Sequence, residues 1–173
     1  RFDLAALGVL LAALLAWVAA PLAPFTGMAL ALAGLVHLAR MARWAGDRTL
    51  AEPLVLVLHL GYVFVPLGAL AGAGEILGRG WLGAGSAQHL WMAGALGLMT
   101  LAVMTRATLG HTGRALTAGC GTVAIYAAAI CAVLARIGAG AWPDAAGALH
   151  SLSGASWIAA FGGFAAVYGP MLL

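Results

Sequence analysis

The amino-acid sequence predicts an all-α membrane protein, a bundle of about six transmembrane helices. Of its 173 residues, 64% are hydrophobic and 8% are charged, whereas a soluble domain carries about 25% charged residues. So few charges cannot cover a water-facing surface of this length. The apolar runs are rich in alanine, leucine and glycine and do not alternate with period two, as the strands of a transmembrane barrel do. Helices are therefore predicted.

Six apolar runs, each roughly the length of a bilayer crossing, follow one another along the chain. Pro21 and Pro24 separate the first two runs, and Pro53 suits the first turn of the third. The fourth begins with the polar pair Gln88 and His89. The predicted helices are about Asp3–Ala20, Thr26–Met41, Pro53–Leu77, Ser86–Thr105, Ala115–Ile137 and His150–Tyr168. We expect one transmembrane domain over residues 1–173.

The arginines predict how the bundle is oriented. The second and fourth connections, with their flanking residues, carry Arg40, Arg43, Arg48, Arg106 and Arg114, and the other internal connections carry only Arg79 and Arg136. The positive-inside rule places the arginine-rich connections, and with them both termini, in the cytoplasm. These basic residues set topology and give no indication of nucleic-acid binding. Four tryptophans near the outer boundaries suit an aromatic belt: Trp81, Trp91, Trp142 and Trp157.

The five histidines fall into two groups by predicted depth. His37, His59 and His111 lie toward the cytoplasm, and His89 and His150 begin helices on the outer side. Two histidines at equal depth on facing helices are the geometry that a bis-histidine haem b requires. The alternative is that a membrane histidine only forms a hydrogen bond to a neighbouring helix. A role as haem-iron ligand is predicted first for His59, His89 and His150.

Small and cationic residues near these histidines suit a flat porphyrin with anionic propionates. Gly34 precedes His37, Gly154 follows His150, and Ala93 and Gly94 follow His89; these residues serve equally well as helix-packing surface. Candidate propionate partners are Arg40, Arg106 and Arg114 on the inner side and Arg79 or Arg136 on the outer side.

Two further features have a functional and a plainer interpretation. The turn Arg106–Arg114 is either an ordinary connection that fixes topology, or an anion site formed by Arg114 and the first amides of the fifth helix. Met92 follows His89 by three positions. It is either a copper ligand, because thioethers are soft ligands, or a core residue.

Four segments of the chain resemble the NnrS family of polytopic haem- and copper-containing membrane proteins of the bacterial nitric oxide response. They are LAVMTRATLGHTGR after the helix of His89, GLVHLARMARW around His37, LHLGYVFVPLG around His59, and the final WIAAFGGFAAVYGPMLL. The resemblance implies haem b and copper as cofactors, nitric oxide as the small ligand, and the bacterial inner membrane as location. The resemblance extends over nearly the whole chain, so that all five histidines fall within it, and His37, His59 and His111 lie in the four segments.

The chain is similar to the C-terminal half of longer family members. The WHxHEM-type segment of their N-terminal half does not occur in this sequence. A missing N-terminal half, or a second copy, is therefore expected as a partner, together with the lipid bilayer.

Three functions are compatible with these features. The first is a haem-binding protein of the nitrosative stress response. The second is a membrane oxidoreductase that converts nitric oxide, which needs an open coordination position, an electron donor and proton delivery. The third is half of a transporter or channel, with polar residues along a path. We favour the first, and no catalytic residue is assigned.

Overall fold

The computed structural model describes residues 1–80, 82–83 and 85–173. Its regular secondary structure is entirely helical, and six helices are long and apolar enough to cross a membrane. They are α1 (Phe2–Ala19), α2 (Pro24–Ala42), α3 (Pro53–Ile76), α4 (Ser86–His111), α5 (Cys120–Ala141) and α6 (Ala146–Tyr168). The predicted fold class is confirmed: this chain is a multi-pass, all-α membrane protein.

The predicted boundaries of the last three helices need correction. α4 continues to His111 instead of ending at Thr105, so the first part of the expected turn is helical. Gly113 ends the helix, because its φ of +66° is a conformation that glycine adopts without steric cost. The next amide, of Arg114, donates to the carbonyl of Leu109. α5 consequently begins only at Cys120.

α6 begins earlier than predicted, directly after a short 3₁₀ turn at Pro143–Ala145. His150 therefore lies one turn inside α6 and not at its start. The end of this helix at Tyr168 agrees with the prediction.

Successive helices run antiparallel, and each packs on the next, with α3 and α4 in the middle and α1 and α6 at the edges. Asp3 at the start of α1 contacts Arg40 near the end of α2. The start of α5 meets the end of α6 through Thr122 and Tyr168. We call this side of the bundle the inner end and the opposite side the outer end. Both termini lie at the inner end.

Glycines allow α3 and α4 to approach closely. A Cβ atom added to Gly68 would lie 2.4 Å from the ring of Trp91, and one added to Gly94 would lie 2.5 Å from Phe64. Such contacts between small and large residues are the main source of helix association in a bilayer, where the surrounding lipid is as apolar as leucine.

The tryptophans only partly follow the expected belt. Trp142 at the outer end is 66% exposed. Trp91, in contrast, lies between helices: its indole N–H donates to the carbonyl of Val65 over 3.0 Å, and its ring meets Trp17 edge-on. Trp81 lies outside the described residues.

Candidate cofactor site

The two outer histidines line one cavity between α4, α5 and α6. This outer cavity has a volume of about 310 Å³, at the lower end of the range of about 300–1,000 Å³ for small-molecule sites. It is lined by His89, Ala93, Ala132, Arg136, His150, Ser153, Gly154 and Trp157. Two histidines that are far apart in the sequence therefore line the same cavity.

The start of α4, which carries His89, is held by contacts at the outer end. The Glu75 carboxylate, at the end of α3, accepts the amide N–H of Ala87 over 3.2 Å and so caps the positive end of α4. Gly83 adopts a φ of +81° and lies against Gly140 at the end of α5. A side chain at position 83 would collide with the Gly140 carbonyl oxygen, at 2.7 Å. The first contact fixes the start of α4 relative to α3, and the second fixes it relative to α5.

Arg136 bonds directly to the imidazole of His89. Its Nε–H donates to His89 Nε2 over 2.9 Å, so Nε2 carries the lone pair and the ring is neutral, with its proton on Nδ1. Within the described residues the only ion pair joins Arg40 to Asp3, which leaves Arg136 without a carboxylate partner. The outer cavity therefore combines an imidazole lone pair with an unneutralised guanidinium.

Part of α4, Leu90–Gly97, is π-helical, a distortion that is frequent at functional sites. In this segment Ala93 lines the outer cavity. Gly97 lies against Trp157 of α6, where a Cβ atom would be 2.7 Å from the ring. Ser153 donates to the carbonyl of Ala132 over 2.8 Å and ties α6 to α5. The cavity walls are thus set by contacts between helices.

Gly154 and Gly34, both predicted to make room for a porphyrin, have different surroundings. Gly154 lines the outer cavity and has no atom within 4 Å of an added Cβ. At Gly34 the Cβ atom would lie 2.7 Å from Leu70, so this glycine is helix-packing surface. Met92 is 63% exposed and is not among the residues that line the outer cavity.

His37 is fully buried, and both of its ring nitrogens have partners. Nε2 donates to the carbonyl of Ala6 over 3.0 Å, so Nδ1 must accept the Tyr62 hydroxyl proton. The Tyr62 oxygen also accepts from Arg40, which in turn binds Asp3. His37 therefore joins α1, α2 and α3 and offers no lone pair to a metal in this arrangement. No pattern in the sequence indicated a role for Tyr62.

His59 lies under the connection between α2 and α3. Its Nδ1–H donates to the carbonyl of Val55 over 3.1 Å, which leaves the lone pair on Nε2. Trp44 meets the ring edge-on, and Gly46 lies against its Cδ2 atom. The imidazole can thus serve as a ligand, but at the opposite end of the bundle from His89.

Of the inner candidates, Arg106 and His111 line a second cavity of about 520 Å³, which we call the inner cavity. Its lining is Leu58, Val103, Arg106, Ala107, Gly110, His111 and Leu116. Arg114 is exposed in the α4–α5 connection and is six positions before the start of α5. An anion-binding role for Arg114, the alternative to an ordinary connection, stays a prediction.

No group of three or more His, Cys, Asp or Glu side chains in the described part of the chain is arranged to hold a metal ion. A haem needs fewer protein ligands, because the macrocycle supplies the rest. His89 and His150 are the two histidines that line the outer cavity together.

Comparison with known proteins identifies the family. Searches of the curated proteins and of the solved structures gave no match. The family model described as NnrS protein matches residues 1–173, the whole of this sequence. Together with the six apolar helices, this match shows that the chain belongs to the NnrS family.

Proposed function

We propose that this chain is a haem-binding protein of the bacterial inner membrane that acts in the response to nitric oxide and nitrosative stress. The observation that supports this function is the pairing of His89 and His150 in one cavity at the outer end of the bundle. Membership of the NnrS family points the same way.

The residues of the outer cavity suit a haem in three respects. His89 is on α4 and His150 is on α6, so their imidazoles come from different helices, as the axial ligands of haem b do. Ala93, Ala132 and Gly154 leave space beside them. His150 is exposed, so the cavity is open on one side and is not limited to a group of its own volume.

Arg136 would hold a haem propionate in this arrangement. Its guanidinium has no carboxylate partner among the described residues, and pairs of arginine with carboxylate are strong, charge-assisted interactions. Because Arg136 now bonds to His89 Nε2, an iron ligated at that atom would take the place of the guanidinium. His89 and Arg136 would then exchange partners together.

A bound haem would supply an iron centre that takes nitric oxide. The part of this chain is to hold the group and to set access to it. Trp157 closes one wall of the cavity, and the exposed His150 stands at its open side. His150 would therefore hold the group from its open side. Met92 lies outside the lining of the outer cavity. Copper binding at Met92 stays a prediction.

The experiment is an absorption spectrum with haem quantification on the purified, haem-supplemented chain. We expect a Soret band, and an at least tenfold weaker haem affinity, by order of magnitude, in His89→Ala and His150→Ala. His111→Ala, a histidine change at the inner end, should keep the spectrum of the wild type. Absence of a Soret band in the wild type, or identical spectra in all variants, would contradict the proposal. Turnover of nitric oxide by the loaded protein would instead favour the oxidoreductase.

A further inference from the structure

The inner cavity has the character of a binding site that is separate from the outer cavity. Both sites involve α4, but His89 and Arg106 are seventeen positions apart on it, which corresponds to roughly 25 Å along a helix. The inner cavity has an apolar wall made of Leu58, Val103 and Leu116, and two polar residues, Arg106 and His111. A ligand here would act independently of any haem.

Arg106 is a half-buried cation without an anionic partner in the described part of the chain. The one ion pair found there joins Arg40 to Asp3. Among the described residues, the Arg106 side chain also forms no hydrogen bond. Glu75, another of the five acidic residues, is engaged at the outer end with the amide of Ala87. A guanidinium beside an apolar wall is expected to take an anion with oxygen acceptors, and phosphate matches its fork of N–H donors.

The apolar wall distinguishes a free phosphate ion from a phosphate that carries an acyl chain. Val103 is 58% exposed and Leu116 is 49% exposed, on a helix bundle whose outward apolar side chains face lipid. A free phosphate ion would gain nothing from these side chains, whereas an acyl chain would lie along them. The single histidine in this cavity also suits a phosphate better than an iron with two imidazole ligands.

The position of the inner cavity along the helices indicates which leaflet of the bilayer supplies the lipid. Arg106 lies at the inner end, on the side of the arginine-rich connections that the positive-inside rule assigns to the cytoplasm. Basic pockets between transmembrane helices on that side bind anionic headgroups. We propose that the inner cavity binds one anionic phospholipid of the cytoplasmic leaflet, with its phosphate on Arg106 and His111 and an acyl chain along Leu58, Val103 and Leu116.

The test compares lipid retention in matched variants. The purified chain is reconstituted in bilayers of phosphatidylcholine with phosphatidylglycerol, extracted into detergent, and examined by native mass spectrometry. We expect one phosphatidylglycerol retained per chain, a loss of about tenfold in its occupancy for Arg106→Gln, and no change for Arg79→Gln in the outer connection. Equal retention in Arg106→Gln and wild type, or equal retention of phosphatidylcholine, would overturn the proposal.

A second variant separates a lipid from a free anion. Val103→Trp fills the apolar part of the inner cavity and leaves every charge in place, and the exposed position of Val103 allows the larger side chain. We expect phosphatidylglycerol retention to fall in Val103→Trp and to resist millimolar inorganic phosphate in the wild type. Unchanged retention in Val103→Trp, or full displacement by inorganic phosphate, would show that no acyl chain occupies the site.

Discussion

At the scale of single residues, three of the histidines differ in which lone pair their neighbours leave open. His37 donates through one nitrogen and accepts through the other, so it serves as a link between helices. His59 keeps the lone pair of Nε2, and that of His89 is directed at Arg136. The sequence predicted the depth of each imidazole from its place in a helix. It could not predict the partners Ala6 and Tyr62, because helix rotation decides which residues meet.

The Tyr62 hydroxyl is expected to contribute measurably to stability. In Tyr62→Phe the Nδ1 atom of the buried His37 loses its donor and Arg40 loses one acceptor. We expect the free energy of unfolding to fall by about 1–2 kcal/mol. Thermal unfolding in detergent measures this change. Ser151→Ala, which removes an exposed hydroxyl bonded within its own helix, is the control. Equal melting temperatures for Tyr62→Phe and wild type would show that the hydroxyl is energetically neutral.

At the scale of helices, glycine spacing and glycine surroundings give different information. The pair Gly68 and Gly72 predicts close contact from its spacing alone, and α3 does meet α4 at both positions. Gly110 and Gly113 look alike in sequence, yet only Gly113 ends α4. The helix passes through Gly110 because it is tolerated inside a helix, at a cost of about 1 kcal/mol relative to alanine. For that reason the predicted end of α4 was wrong.

Gly94 is expected to tolerate no side chain. A Cβ atom there would lie 2.5 Å from Cγ of Phe64, so Gly94→Ala must push α3 and α4 apart or move a buried ring. We expect a destabilisation of about 1–3 kcal/mol, as for other overpacked positions. Gly8→Ala in α1, where an added Cβ meets nothing within 4 Å, should be neutral or slightly stabilising. Unfolding curves of both variants in the same detergent measure the two changes in stability. A larger loss of stability in Gly8→Ala than in Gly94→Ala would disprove the close packing of α3 on α4 at Gly94.

At the scale of the whole molecule, the number and order of the helices could be predicted, because bilayer thickness sets the length of an apolar run. The packing of α4 against α5 and α6, which forms the outer cavity, could not. It depends on contacts such as Gly83 against Gly140 at the end of α5 and Gly97 against Trp157 of α6, while the Glu75 cap holds the start of α4 to α3. No side-chain pattern in the sequence indicates the Glu75 cap, because its partner is a backbone amide.

The orientation of the bundle is a separate prediction of the arginine distribution. In a background of Cys120→Ala and Cys131→Ala, single cysteines are placed by Asp144→Cys at the outer end and Asp47→Cys in the α2–α3 connection. A membrane-impermeant maleimide added to intact cells should label position 144 and reach position 47 only after permeabilisation. The cysteine-free background controls for other thiols. Labelling of position 47 alone in intact cells would show that the bundle has the opposite orientation.

The contact between Arg136 and His89 has a consequence for the order of events during biogenesis. Because His89 Nε2 already has a donor in Arg136, the helices need no prosthetic group to satisfy this atom, and under the proposed function insertion and folding would precede loading. Loading of the proposed haem would then exchange one partner of His89 for another, and the same guanidinium would return to the imidazole when the group departs.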